Sequence, residues 1–212
     1  MTIKEIKKHA LEALSGNWGI AILVSIVVYG GFFYFIPYLL QISLSGWIGR
    51  ELSWVELEMF NIPLQLLLIP LTVGISWFFL ELSRKQTIKF KDIFIVYSDL
   101  RLSLKMVGLS ILTGILVLLW ALLFIIPGIV KSIAYSQAYY ILKDKPNLSI
   151  LEAIKESNRI MKGHKLDYFL LMLSFIGWMI LSIFTLGIGL IFLSPYVDTS
   201  RATFYLHISN ED

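Results

Sequence analysis

A chain of 212 residues with 57% hydrophobic and 16% charged residues departs from soluble domains, which run roughly 45 to 50% apolar and about 25% charged, and a water-soluble core cannot absorb the excess. With no cysteine, disulfides, thiolate metal sites and cysteine nucleophiles are excluded. The net charge of +3 says less than its placement, and the length leaves room for about six short membrane spans and no extramembrane domain, so residues 1–212 read as one membrane-embedded, all-α domain.

In chain order, Ile3, Ile6, Ala10 and Leu14 recur at helical spacing opposite Lys4, Lys8 and Glu12, and Ser15-Gly16 follows as a stop. This predicts an interfacial helix ahead of the first span. The basic start is not read as a secretory signal, because the apolar run after it exceeds the roughly 7 to 15 residues of a signal core and no small-residue cleavage site follows. The first span is expected at about 18–40 and the second at about 63–80. Between them the acidic segment Ser43–Asn61 carries Trp47, Trp54 and a Ser53-x-x-Glu56 capping box. Arg84–Lys105 is basic, and its Phe90, Ile93, Phe94 and Tyr97 predict a second interfacial helix.

Met106–Val130 then runs 25 residues without a charge, where about 18 apolar residues suffice to read as a span. The polar segment Lys143–Asp167 predicts a third interfacial helix. Ser149 and Glu152 form its capping box, Ile150, Leu151, Ile154 and Met161 its apolar stripe, and Gly163 its stop. Tyr168–Val197 adds 30 more uncharged residues.

The N-terminal segment and the two basic segments hold 15 of the 18 Lys and Arg residues, which places all three in the cytoplasm by the positive-inside bias. Two polar segments on one side require an even number of crossings between them, so 106–142 must form a hairpin. Its turn is expected at Pro127-Gly128, since proline ends a helix and glycine supports a tight reversal. The region 168–206 repeats the plan with Gly187 and Gly189 at the turn. The expected architecture is a polytopic transmembrane helix bundle of six spans, arranged as three hairpins (18–80, 106–142 and 168–206). Each hairpin is preceded by a cytoplasmic amphipathic helix, and both termini lie inside. A five-span alternative puts Asp198–Asp212 outside or on the surface. Two internal echoes support a threefold repeat: Leu14-Ser15-Gly16-Asn17 with Met161-Lys162-Gly163-His164, and Ser136-Gln137-Ala138 with Ser200-Arg201-Ala202.

Charges within spans are costly and default to functional candidates. Lys131, Asp198 and Arg201 are the three here, with Gln137 beside them as a fourth binding candidate. The short arm Ile129–Leu142 reaches only about 21 Å as a helix, too little to cross while facing lipid, so it is expected inside the bundle. Two readings of these residues stand. In one, Lys131 and Arg201 meet an anionic substrate or lipid head group in a polar cavity, with Asp198 as counter-charge. In the other, Lys131 snorkels to the outer interface, Asp198 pairs with Arg201, and the nearby hydroxyls join helices.

His9, His164 and His207 show no ligand spacing, so neither a metal site nor any cofactor is expected. The chain has no P-loop, G-x-S-x-G or H-E-x-x-H, and Gly187-x-Gly189 lacks the strand-turn-helix setting of a nucleotide site. Enzymatic activity is not expected. The basic segments alternate with acids, which argues against nucleic acid as a partner.

Phe124-Ile125-Ile126-Pro127-Gly128-Ile129, Tyr135-Ser136, Met161-Lys162-Gly163-His164-Lys165, Phe175-Ile176-Gly177-Trp178, Gly187-Ile188-Gly189 and Ser194-Pro195-Tyr196 together resemble an ordered family signature. The family consists of Gram-positive bacterial integral membrane proteins and is known only as domain of unknown function nine hundred and seventy-five. The resemblance runs from Leu14-Ser15-Gly16-Asn17-Trp18 to Phe204-Tyr205. More distantly the chain is similar to the membrane domain of glycerophosphodiester phosphodiesterases; their soluble catalytic domain has no counterpart in residues 1–212, so no hydrolase activity is expected to carry over. The resemblance implies a multi-pass protein of the bacterial plasma membrane and supplies no catalytic residues. Two functions follow as expectations: a non-enzymatic protein that binds or moves a small anionic or lipid-like amphipathic compound, or an accessory scaffold for a membrane partner such as an exporter or envelope-stress system. The partners expected are the lipid bilayer and either a membrane protein or a second copy of the chain.

Overall fold

The computed structural model describes residues 2–210, so the last two positions of the segment Asp198–Asp212 lie outside the described residues. Every regular element described is helical: α1 (Ile3–Leu14), α2 (Trp18–Ser25), a π-helical segment (Ile26–Phe35), α3 (Ile36–Ile48), α4 (Trp54–Ser83), a 3₁₀ segment (Phe90–Ser98), α5 (Leu100–Leu123), α6 (Ile125–Tyr135), α7 (Ala138–Asp144), α8 (Ile150–Ile160), α9 (Lys165–Phe184) and α10 (Ile188–Ser209). Among the described residues, four helices are long and apolar enough to cross a membrane: Trp18–Ile48, which joins α2, the π segment and α3, then α4, α5 and α9.

Local chemistry fixes the helix starts. Thr2 with Glu5, Ser53 with Glu56, and Ser149 with Glu152 each close a reciprocal capping box, which satisfies backbone N–H groups that the first turn leaves free. The Ser53 box sets a correction. The helices of the first hairpin run through most of Ser43–Asn61, leaving only 49–53 as connection. Gly49 ends α3 at φ +75°, and the Arg50 guanidinium holds Glu56 across the gap at 2.6 Å.

The second hairpin reverses at Phe124, whose backbone is extended (φ −156°, ψ 141°), and not at Pro127-Gly128. Pro127 falls in the first turn of α6, where a missing N–H costs nothing. Gly128 is instead a contact point, because a Cβ there would lie 2.7 Å from the Ala121 Cβ. The return arm then breaks at Ser136-Gln137 and continues as α7, ending where Lys105 donates to the Pro146 carbonyl at 2.6 Å. In the third hairpin Leu186 (φ +53°) and Gly187 (φ +86°) make the reversal, while Gly189 packs on Ser182, 2.5 Å from its hydroxyl oxygen if it carried a Cβ. Ring contacts of His164 with His207, Tyr168 with Phe204 and Phe175 with Tyr196 show α9 and α10 running antiparallel along their length.

Burial is concentrated away from the hairpin tips. The C-terminal half of α4 is the spine of the core: Leu71, Ile75, Phe78, Phe79 and Leu82 are buried, with Ile6 and Leu14 of α1, Ile93, Phe175 of α9, and Phe204 and Ile208 of α10 in the same cluster. The 3₁₀ segment folds back along α4, pressing the Ile93 carbonyl onto Gly74 and tying the Tyr97 hydroxyl to the Leu67 carbonyl at 2.7 Å. By contrast Leu122–Ile126 and Ile183–Leu186 are exposed apolar tips, a surface suited to lipid. The short arm Ile129–Leu142 is enclosed in its second half, where Ala134, Gln137, Ala138, Tyr140, Ile141 and Leu142 are buried, but not at its start, where Ile129 and Val130 are exposed, because α6 leans on α5 and leaves its other face open.

The first echo has a common geometry. Gly16 (φ +80°) lets Asn17 N–H return to the Leu14 carbonyl at 2.8 Å, and Gly163 (φ +95°) lets His164 N–H return to the Met161 carbonyl at 3.2 Å. The second echo does not, since Ser136–Ala138 spans a helix break and Ser200–Ala202 lies inside continuous α10. In α8 the buried face is Ala153, Ile154, Ser157 and Ile160, whereas Leu151 of the expected stripe is exposed.

Candidate functional site

Asp198 and Arg201 sit one turn apart on α10, and the structure gives each a tyrosine. Tyr29 of the π segment donates to Asp198 Oδ2 at 2.9 Å, Arg201 Nη1 stands 3.8 Å from Asp198 Oδ1, and Arg201 Nε donates to the Tyr168 hydroxyl at 3.0 Å. The half-exposed Arg201 thus balances the charge of Asp198, as a buried carboxylate requires. The hydroxyls that follow have a simpler role. Thr199, Ser200 and Thr203 return to carbonyls of their own helix one turn back, the usual outlet for such groups in an apolar setting.

Beside Asp198 a groove of about 610 Å³ opens between the π segment and the α9–α10 arms. Its walls are Ile26, Gly30, Tyr34, Met179, Leu190, Ile191, Leu193 and Val197, and its polar lining is Asp198, Tyr29, Ser194 and Ser25. Ser25 is 1% exposed and its hydroxyl has no partner. A buried, unpaired hydroxyl costs about 1–3 kcal/mol on mutational scales, so this one is available to a bound group.

The other sequence candidates lie elsewhere. The Lys131 ammonium rests over Trp120 (4.8 Å) and Tyr135 (5.8 Å), and no hydrogen bond or ion pair joins it to Asp198 or Arg201 among the described residues. Gln137 is fully buried at the α6–α7 break. Its N–H is bound by Ser157 of α8, its side-chain nitrogen donates to Ser136, and its side-chain oxygen is unpaired. The structure therefore brings together Asp198 and Arg201, adds Tyr29, Tyr168 and Ser25, and keeps Lys131 and Gln137 on the α6–α7 arm. Tyr29 was within reach of sequence reasoning as a hydroxyl inside an apolar run. Its partner 169 residues away was not.

Two further clusters stand out. His164 and His207, spaced far apart in sequence, meet ring to ring at 6.4 Å, and His9 and His207 line one cavity with Glu12. Among the described residues no three His, Cys, Asp or Glu side chains form a metal-holding group. Near the C-terminus of α4, Arg84 grips both oxygens of Asp144 at 2.6 and 2.7 Å, Tyr205 donates to the same carboxylate, and Lys143 pairs with Glu81 at 2.8 Å. On α8, Arg159 and Lys145 together hold the Glu156 carboxyl down at about 2.

These features define a helical membrane protein whose buried polar groups face an apolar lateral groove. Residues 122–212 match the family described as "Protein of unknown function (DUF975)", a stretch that starts at the end of α5 and takes in α6 to α10. The N-terminal motif around Leu14–Trp18 lies outside the matched stretch. No curated protein and no solved structure matches the chain.

Proposed function

We propose that the protein is a non-enzymatic, six-span component of the bacterial plasma membrane that binds a lipid-like amphiphile in the groove beside Asp198. The fifth and sixth spans are α9 and α10, and α6 with α7 supplies the fourth. The groove carries the reading. Its rim residues Ile26, Tyr34, Met179 and Leu190 are exposed on the apolar flank, so a ligand enters from lipid, while Asp198, Tyr29 and the free Ser25 hydroxyl receive a polar end. Asp198 keeps acceptor capacity beyond its Tyr29 bond, which favours a head group with O–H or N–H donors. A concave, mostly apolar pocket with a few convergent polar groups is the usual form of a small-molecule site.

The test is to purify wild type, Asp198→Ala and Ile26→Trp in mild detergent, extract the co-purifying amphiphiles, and quantify them by mass spectrometry. Gel filtration and circular dichroism verify folding. Wild type is expected to retain one species at near-stoichiometric level, and both folded variants to lose it. Equal retention by Ile26→Trp, which fills the groove without touching Asp198, would contradict the proposal.

A further inference from the structure

A second groove lies on the far side of Leu193 and has a different chemistry. It measures about 620 Å³, and Lys7, Trp18, Trp178, Leu181, Phe192 and Tyr196 line it. Leu193 is the one residue whose side chain belongs to both grooves. Lys7 is the cation at its end. The ammonium donates to Ser174 Oγ at 3.0 Å and lies 4.2 Å from the Phe175 ring centroid, and among the described residues no carboxylate comes within ion-pair distance of it. Its neighbour Lys8, in contrast, points outward and pairs with Glu12.

Ser174 is the tenth residue of α9, about 14 Å along the helix from Lys165 at 1.5 Å per residue. Lys7 thus reaches past the first polar turns of α9 to a wall of aromatic and aliphatic groups. A positive charge held there without a counter-ion is unfavourable, and burial accordingly pulls the Lys7 pKa below the ordinary lysine value. The aromatic faces of Phe175 and Tyr196 offset part of that cost, and an anion would offset more.

We infer that this groove holds an anionic phospholipid of the leaflet on the α1 side, its phosphate on Lys7 and an acyl chain against Trp18, Trp178 and Phe192. The charge complementarity selects the occupant. A zwitterionic lipid brings its own cation to the same place, and free phosphate cannot use the apolar wall. The inference is independent of the groove at Asp198.

Native mass spectrometry of the purified full chain in detergent tests this, with phosphatidylglycerol, phosphatidylcholine and inorganic phosphate added separately. Phosphatidylglycerol is expected to bind wild type and Lys7→Arg alike, and to bind Lys7→Gln at least about fivefold more weakly, the ratio given by about 1 kcal/mol per basic group near anionic lipid. Lys8→Gln leaves binding unchanged, and Trp178→Ala weakens it. Equal binding of phosphatidylcholine, binding of inorganic phosphate alone, or undiminished binding by folded Lys7→Gln would each overturn the assignment.

Discussion

At the scale of single residues, the i, i+3 spacing of Asp198 and Arg201 could be read from the sequence, because helical geometry alone puts them on one face. The pairing of Tyr29 with Asp198, and the place of Ser25 beside it, were hidden for a physical reason. An apolar span has no polar face to betray its orientation, so which hydroxyl meets Asp198 is decided by packing. Glu156 offers the clearest pH test. Hydrogen bonds from Arg159, then Lys145, depress its carboxyl from 4.5 to about 2, so the pairing favours the folded state wherever an unfolded carboxylate is ionised. That contribution is complete above about pH 4.5 and is lost as pH falls toward about 2. Thermal unfolding in detergent should show wild type above Glu156→Gln at pH 7, with the gap closing across that window. A gap that persists at the acid end would mean that Glu156 acts through packing.

Elements were legible where capping chemistry marked them and illegible where a turn had no marker. The boxes at Ser53 and Ser149 start α4 and α8. Pro127 misplaced the second reversal because proline is as suited to a first helical turn as to a break, and Phe124, the actual hinge, is an ordinary apolar residue. The π segment Ile26–Phe35 also left no trace, since an all-apolar run has no period to distinguish winding. Glycines turned out to matter for contact. Gly128 against Ala121 and Gly189 against Ser182 let the arms of two hairpins approach closely, as small residues do between membrane helices. Gly128→Val should destabilise by about 1–3 kcal/mol, the usual cost of overpacking. Gly114→Val, where a side chain meets open space, should be near neutral. Detergent-resistance or thermal-shift assays distinguish the two, and equal effects would remove the close-contact account.

For the whole molecule, composition and charge placement carried most of the information. Uncharged runs located the apolar helices, and the clustering of basic residues grouped α1, the stretch before α5 and α8 together. The structure adds that these polar segments pack around the C-terminal half of α4 while three apolar hairpin tips point away from it. Sequence periodicity could not show that α6 lies open on one face, since enclosure depends on where neighbouring arms end up. Both proposed sites depend on this arrangement, because each requires a groove that opens toward lipid between embedded arms. The cysteine-free chain allows a direct measurement: single cysteines introduced at the exposed positions Glu51 and Asn147, probed in intact cells with a membrane-impermeant maleimide. The account predicts labelling of Glu51→Cys from outside and labelling of Asn147→Cys only after permeabilisation. Labelling of Asn147→Cys in intact cells would contradict it.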